Sequence, residues 1–98
     1  MTDSTVRLDK WLWAARFYKT RSLARDMVQG GKVHYNGQRA KASKNVEVGA
    51  LLTIRQGDVM LEVMIEIISG HRGGAPIAQT LYKETEKRIV KREENGIL

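Results

Sequence analysis

Leu8, Trp11, Leu12 and Ala15 recur at the three- and four-residue intervals that bring side chains onto one face of a helix. The spacing predicts a first amphipathic helix over residues 7–17, with Arg7, Lys10 and Arg16 off its apolar stripe. Lys19, Thr20 and Arg21 break the pattern, and the hydroxyl of Thr20 or Ser22 suits the free amides at the start of a new helix. A second helix is expected over residues 21–29, burying Leu23, Ala24, Met27 and Val28 while Arg21, Ser22, Arg25 and Gln29 point elsewhere. Gly30 and Gly31 end it, because glycine takes the left-handed conformation that helix C-termini favour. Val33 and Tyr35 then alternate with Lys32, His34 and Asn36, a short half-buried strand closed by the tight-turn pair Asn36-Gly37.

Residues 38–48 return from that turn and carry Arg39, Lys41 and Lys44. A strand follows over residues 51–55, a turn at residues 56–58, and a stronger strand over residues 59–68, where Val59, Leu61, Val63, Ile65 and Ile67 share one face. Glycine-rich residues 69–76 read as a flexible linker. Pro76 suits the first turn of a last helix over residues 77–94, with Ile77, Leu81, Thr85 and Ile89 along one face. The pattern describes an α+β protein: two N-terminal helices, a small, highly twisted antiparallel sheet of three to five short strands, and a C-terminal helix. A length of 98 residues leaves room for one domain.

Charge changes this picture because of where it sits. Residues 7–57 hold eleven Lys and Arg against Asp9, Asp26 and Glu47, a net +8, whereas residues 58–98 are near neutral. All of the positive excess therefore lies in the half that carries the helix pair, which points to an anionic partner such as a nucleic-acid backbone. There is no cysteine, and His34 and His71 are far apart, so no disulfide, zinc site or thiol chemistry is expected. Residues 1–6 are polar without an apolar signal core, and no run approaches the roughly 18 apolar residues of a membrane span. A cytoplasmic protein without membrane contact is the expectation.

The order of the motifs adds a resemblance. Arg7-Leu8-Asp9-Lys10, then Thr20-Arg21-Ser22-Leu23-Ala24-Arg25, then Gly30-Gly31-Lys32-Val33-His34-Tyr35-Asn36-Gly37 strongly resembles the S4 RNA-binding domain, over about half of the chain. Within that superfamily, Arg7-Leu8-Asp9-Lys10-Trp11-Leu12-Trp13-Ala14-Ala15-Arg16 and Gly31-Lys32-Val33-His34-Tyr35-Asn36-Gly37-Gln38-Arg39 look like the ribosome-associated heat shock protein 15 family. The resemblance implies an S4-like αL RNA-binding domain over residues 7–58, with residues 59–98 as an extension of strand and helix packed on or beside it. It also implies binding to ribosomal RNA of the large subunit carrying a stranded nascent chain and transfer RNA, in a heat-shock or stress recycling role.

Lys and Arg neutralise phosphates, and hydroxyls and amides position them, so the candidate RNA-binding residues are Arg7, Lys10, Arg16, Lys19, Thr20, Arg21, Ser22, Arg25, Lys32, His34, Asn36, Arg39, Lys41 and Lys44. Asp9 is read as an organiser of neighbouring basic side chains or of a backbone amide, since phosphate would repel it. Trp11 is read as core, and Trp13 as packing against the second half or stacking on a base. His34 is either an RNA contact or an exposed histidine. Glu62 and Glu66 share a strand face without a nucleophile, metal cluster or phosphate loop, so no catalytic role and no cofactor is expected. The alternatives are a basic module for DNA or a protein partner, or an accessory RNA-binding subunit of an RNA-modifying enzyme. A monomer is expected.

Overall fold

The computed structural model describes residues 5–89. Helix α1 (Leu8–Ala14) and helix α2 (Arg21–Gln29) precede β1 (Val33–Tyr35), β2 (Gln38–Arg39), β3 (Leu51–Gln56) and β4 (Val59–Ile65). A one-turn helix α3 (Ala75–Ala78) and a 3₁₀ turn (Gln79–Leu81) then lead into β5 (Tyr82–Ile89). The strands form one antiparallel sheet in the order β2-β1-β3-β4-β5. This is the expected α+β architecture, with α1 and α2 on the inner face of the sheet.

Local chemistry explains most boundaries. Thr20 caps α2, its hydroxyl oxygen accepting from the Leu23 amide at 3.0 Å. Gly31 closes the same helix with φ +81°, its amide on the Val28 carbonyl and the Lys32 amide on the Met27 carbonyl, the paired bonds of a Schellman ending. Asn36 and Gly37 both take positive φ, 51° and 82°, which closes the two-residue β1–β2 turn with the twist that antiparallel strands require.

Helix α1 ends three residues earlier than the stripe suggests. The Arg16 amide bonds the Trp13 carbonyl and the Phe17 amide bonds the Leu12 carbonyl, again a Schellman ending, but with an arginine at φ +66° where α2 has glycine. Phe17 thereby folds back to stack on Trp11 at 6.2 Å between ring centroids.

The core is formed by Leu8, Trp11 and Leu12 of α1, Ala24 and Val28 of α2, and inward residues of the sheet: Val33, Leu52, Ile54, Val63 and Ile65. Ala42 and Val46 plug its end from the loop after β2. Leu23 departs from expectation at 38% exposed, because the line that faces the sheet runs through Ala24 and Val28 and leaves Leu23 on its flank.

The second half differs more. Residues 69–76 are not a free linker. Trp11 donates its indole N–H to the Ile67 carbonyl, Arg16 donates to Gly73 and Arg72 donates to Trp13 and Tyr18, so residues 66–74 form a strap across α1. The expected helix over residues 77–94 is one turn long; from Tyr82 the chain runs as β5, pairing its backbone with β4 from Val59↔Ile89 to Ile65↔Tyr82. Residues 90–94 of that expected helix lie outside the described residues. The Ile77, Leu81, Thr85, Ile89 stripe mimicked a helix, but the open edge of β4 offers a ladder that side-chain spacing does not encode, and a bulge at Glu62/Val63 adjusts the register.

Tyr18, in the link between the helices, is 7% exposed, and its hydroxyl finds no hydrogen-bond partner among the described residues. Burial pushes its phenol up to about 12. The native state thus holds this proton at pH values where the unfolded chain, with an ordinary tyrosine, has lost it. Its contribution is complete below pH 10 and is lost as pH rises towards 12. Urea unfolding of Tyr18→Phe should show stability equal to or above the parent at pH 7, with an alkaline decline between pH 10 and 12 shallower by on the order of 2 kcal/mol. In the same assay Leu52→Ala, at a fully buried site, should cost about 2 to 5 kcal/mol and Leu23→Ala less than about 1.

Candidate nucleic-acid interface

The interface begins at the first turn of α1. No side chain caps that helix; the Leu8 and Asp9 amides instead donate to the carbonyls of Lys44 (2.8 Å) and Ala42 (3.2 Å). This ties the loop after β2 to the helix and takes up amides that a phosphate would otherwise find. Asp9 is 4% exposed, and its carboxylate accepts two bonds from Arg7, Nε at 3.2 Å and Nη2 at 3.0 Å. Arg21, from the start of α2, reaches the same carboxylate at 4.0 Å. One buried acid thus draws together two arginines from different helices. Each remains about half exposed, 48% for Arg7 and 47% for Arg21, so part of each guanidinium fork faces outward.

Beside this pair lies an open cleft of about 560 Å³, lined by Arg7, Arg25, Gln29, Arg39, Lys41 and Ser43 together with small alanines. A second groove of about 370 Å³ continues it past Arg39 and Lys41 to Tyr35, Asn36 and Lys44. Neither has an acidic residue in its lining. Arg39 donates to the Gln29 carbonyl at 2.7 Å, which closes the negative end of α2 and fixes the guanidinium at the meeting of the two grooves. Lys44 lies 5.2 Å from the centroid of the Tyr35 ring. The Tyr35 hydroxyl accepts from the Glu47 amide, and burial is the main cause of the rise in its pKa.

The structure therefore gathers Arg7, Arg21, Arg25, Arg39, Lys41 and Lys44 around one concave, cationic region. Other sequence candidates lie elsewhere or are engaged. Lys10 packs against Gly70 of the strap, and Arg16 donates to Gly73 at 2.9 Å. Lys19 and Ser22 are exposed around the start of α2. The Thr20 hydroxyl caps α2, and the Asn36 side chain accepts from the Leu51 amide within the hairpin. Lys32 and His34 line a separate recess of about 140 Å³ with Arg55 and Thr53. Sequence reasoning left out Gln29, Ser43 and Arg55 as lining residues; for Arg55 the strand register Val33↔Ile54 was the missing signal, and for Ser43 none existed. Among the described residues no group of His, Cys, Asp or Glu could hold a metal ion, and no helix is long and apolar enough to cross a membrane.

A buried acid holding two arginines, a cationic cleft between a helix pair and a hairpin, and a glycine-ended second helix define an S4-type RNA-binding protein, and the S4 domain family matches residues 6–52. A heat shock protein 15 homolog of Haemophilus influenzae is 63% identical over 94 residues, covering 96% of this chain and 72% of that protein. The chain belongs to the heat shock protein 15 family. The structure of Vibrio cholerae heat shock protein 15, described as trimeric where the sequence here suggests a monomer, superposes with a TM-score of 0.82 at 71% identity, over 84% of this chain and 83% of that one. A Bacillus subtilis protein named RQC P-site tRNA stabilizing factor is 40% identical over 60 residues, covering 61% of this chain and 70% of that protein.

Asp9→Asn separates arrangement from charge. The substitution makes the surface more positive, which by charge alone would strengthen RNA binding, yet it releases Arg7 and Arg21 from their shared acceptor. Filter binding should show weaker RNA affinity, and urea unfolding a loss of about 1 to 3 kcal/mol, modest because both arginines can turn to solvent. Tighter binding would mean that the carboxylate does not organise the site.

Proposed function

We propose that this chain binds ribosomal RNA on the large ribosomal subunit carrying a stranded nascent chain and transfer RNA, and serves recycling of such subunits under heat shock or stress. The observation that carries the RNA reading is the acid-free cleft, where Arg7, Arg25, Arg39 and Lys41 converge from α1, α2, β2 and the following loop. Such a surface follows a curved phosphate backbone, and Lys44 at its end extends the positive charge along the second groove. The transfer RNA in this reading is supported by the name of the Bacillus subtilis relative, and the heat-shock role by the name of the family. In this reading residues 7–58 are the RNA-binding unit and residues 59–98 its extension. Arg7, Arg21, Arg25, Arg39, Lys41 and Lys44 make the principal contacts, while Lys10, Arg16, Lys19, Thr20, Ser22, Lys32, His34 and Asn36 contribute at the periphery.

Co-sedimentation through sucrose gradients tests the target: the protein should travel with large subunits, preferentially those that retain transfer RNA, and not with small subunits. Log affinity should fall with log salt at a slope of roughly −3 to −5, at about 0.7 to 0.9 per phosphate contact. Arg25→Ala combined with Lys41→Ala should flatten that slope by about 1.4 to 1.8 and leave stability within about 1 kcal/mol. A flat salt response in the parent would instead indicate a protein partner.

A further inference from the structure

We propose that Arg72, on the strap between β4 and α3, is a positioning residue for RNA binding: it fixes the turn between α1 and α2 and so sets where Lys19, Thr20 and Arg21 stand. The inference rests on the RNA-binding reading above and concerns a residue in the half of the chain that carries no net positive charge.

One guanidinium nitrogen of Arg72 donates to two carbonyls, that of Trp13 at the end of α1 and that of Tyr18 in the link to α2, the latter at 3.0 Å. The guanidinium also lies 5.5 Å from the centroid of the Trp13 ring. These two carbonyls bracket the Schellman ending of α1, and Tyr18 stands two residues before the cap of α2. A cation there meets the negative end of a helix, a favourable placement in a site that Trp13 and the strap partly shield from water. Arg72 is itself half-buried, and its Nη1 is committed to two backbone carbonyls within the protein, so its first role is to hold the turn.

The strap is held at both ends. Ile67 accepts from the Trp11 indole at 2.9 Å, Gly73 accepts from Arg16 at 2.9 Å, and the Glu66 and Ile67 amides donate to the Leu81 carbonyl. Arg16 reaches Gly73 from a left-handed backbone that costs a non-glycine residue on the order of 1 kcal/mol. At the other helix ending the same role falls to Gly31, free of that cost. The arginine in place of glycine fits a fold that keeps this strap contact at some expense. The geometry that matters for RNA, Arg7 and Arg21 meeting over Asp9, requires α2 to leave the turn in one direction, and Arg72 is the side chain that ties both sides of the turn together.

The test is a double-mutant cycle on binding to purified large ribosomal subunits, measured well below each variant's unfolding midpoint. Arg72→Lys keeps the charge but loses the planar fork, and Arg72→Gln removes the charge. Both should weaken binding about tenfold. Arg21→Ala should cost clearly less in the Arg72→Lys background than in the parent, because the two residues act through one geometry. A purely structural Arg72 would lower the unfolding midpoint and leave that coupling at zero. Arg72→Lys binding like the parent, or the two substitutions acting independently on affinity, overturns the inference. If the parent itself fails to bind large subunits, the functional reading falls first, and this inference with it.

Discussion

Trp11 is the point on which the two halves of the chain close. Fully buried, it stacks on Phe17 at the end of its own helix, meets Tyr82 edge-on at 6.4 Å and donates its indole N–H to Ile67. An indole buries a large apolar area and must still satisfy one N–H. A carbonyl of the strap meets that need, and the strap in turn covers the side of α1 that a simple two-layer packing would leave wet. Helix α1 is accordingly buried at Leu8, Asp9, Trp11, Leu12 and Ala14, far more completely than its single apolar stripe implies.

That enclosure gives the cationic surface its stiffness. A short helix with no side-chain cap is marginal alone. Here its first amides are held by the loop after β2 and the Trp13 carbonyl near its end by Arg72, so both ends are clamped by chain from outside the helix pair. The arginines that line the cleft inherit fixed origins. Side-chain entropy is then the main cost of engaging phosphate, rather than ordering of the backbone.

Much of the first half was legible because its signals are local. Thr20 and Gly31 mark the two ends of α2 through chemistry within three residues of each boundary, and Asn36-Gly37 dictates its turn by tolerance of positive φ. Asp9 stood out as an acid among cations, and it is the acid on which Arg7 and Arg21 meet. What escaped depends on backbone acceptors remote in sequence. Carbonyls have no letter in the chain, so nothing in Gly70, Gly73 or Gly74 announced a strap, and nothing in residues 82–89 announced that β4 had a free edge. Leu23 misled for a different reason: a helix packed through the small Ala24 sits close to the sheet and turns its larger neighbour aside.

The separation of 56 positions between Trp11 and its acceptor Ile67 has a consequence for how the protein is made. Translation delivers the N-terminus first, at about 5 to 20 residues per second, so α1, α2 and the β1–β2 hairpin emerge seconds before the segment that encloses α1. In that interval helix α1, with Trp11 on it, lacks its outer cover, and closing so long a loop carries an entropic cost that its few polar bonds must offset. A product truncated before Ile67 would carry the whole set of motifs by which the family is recognised and still lack the bond that seats Trp11.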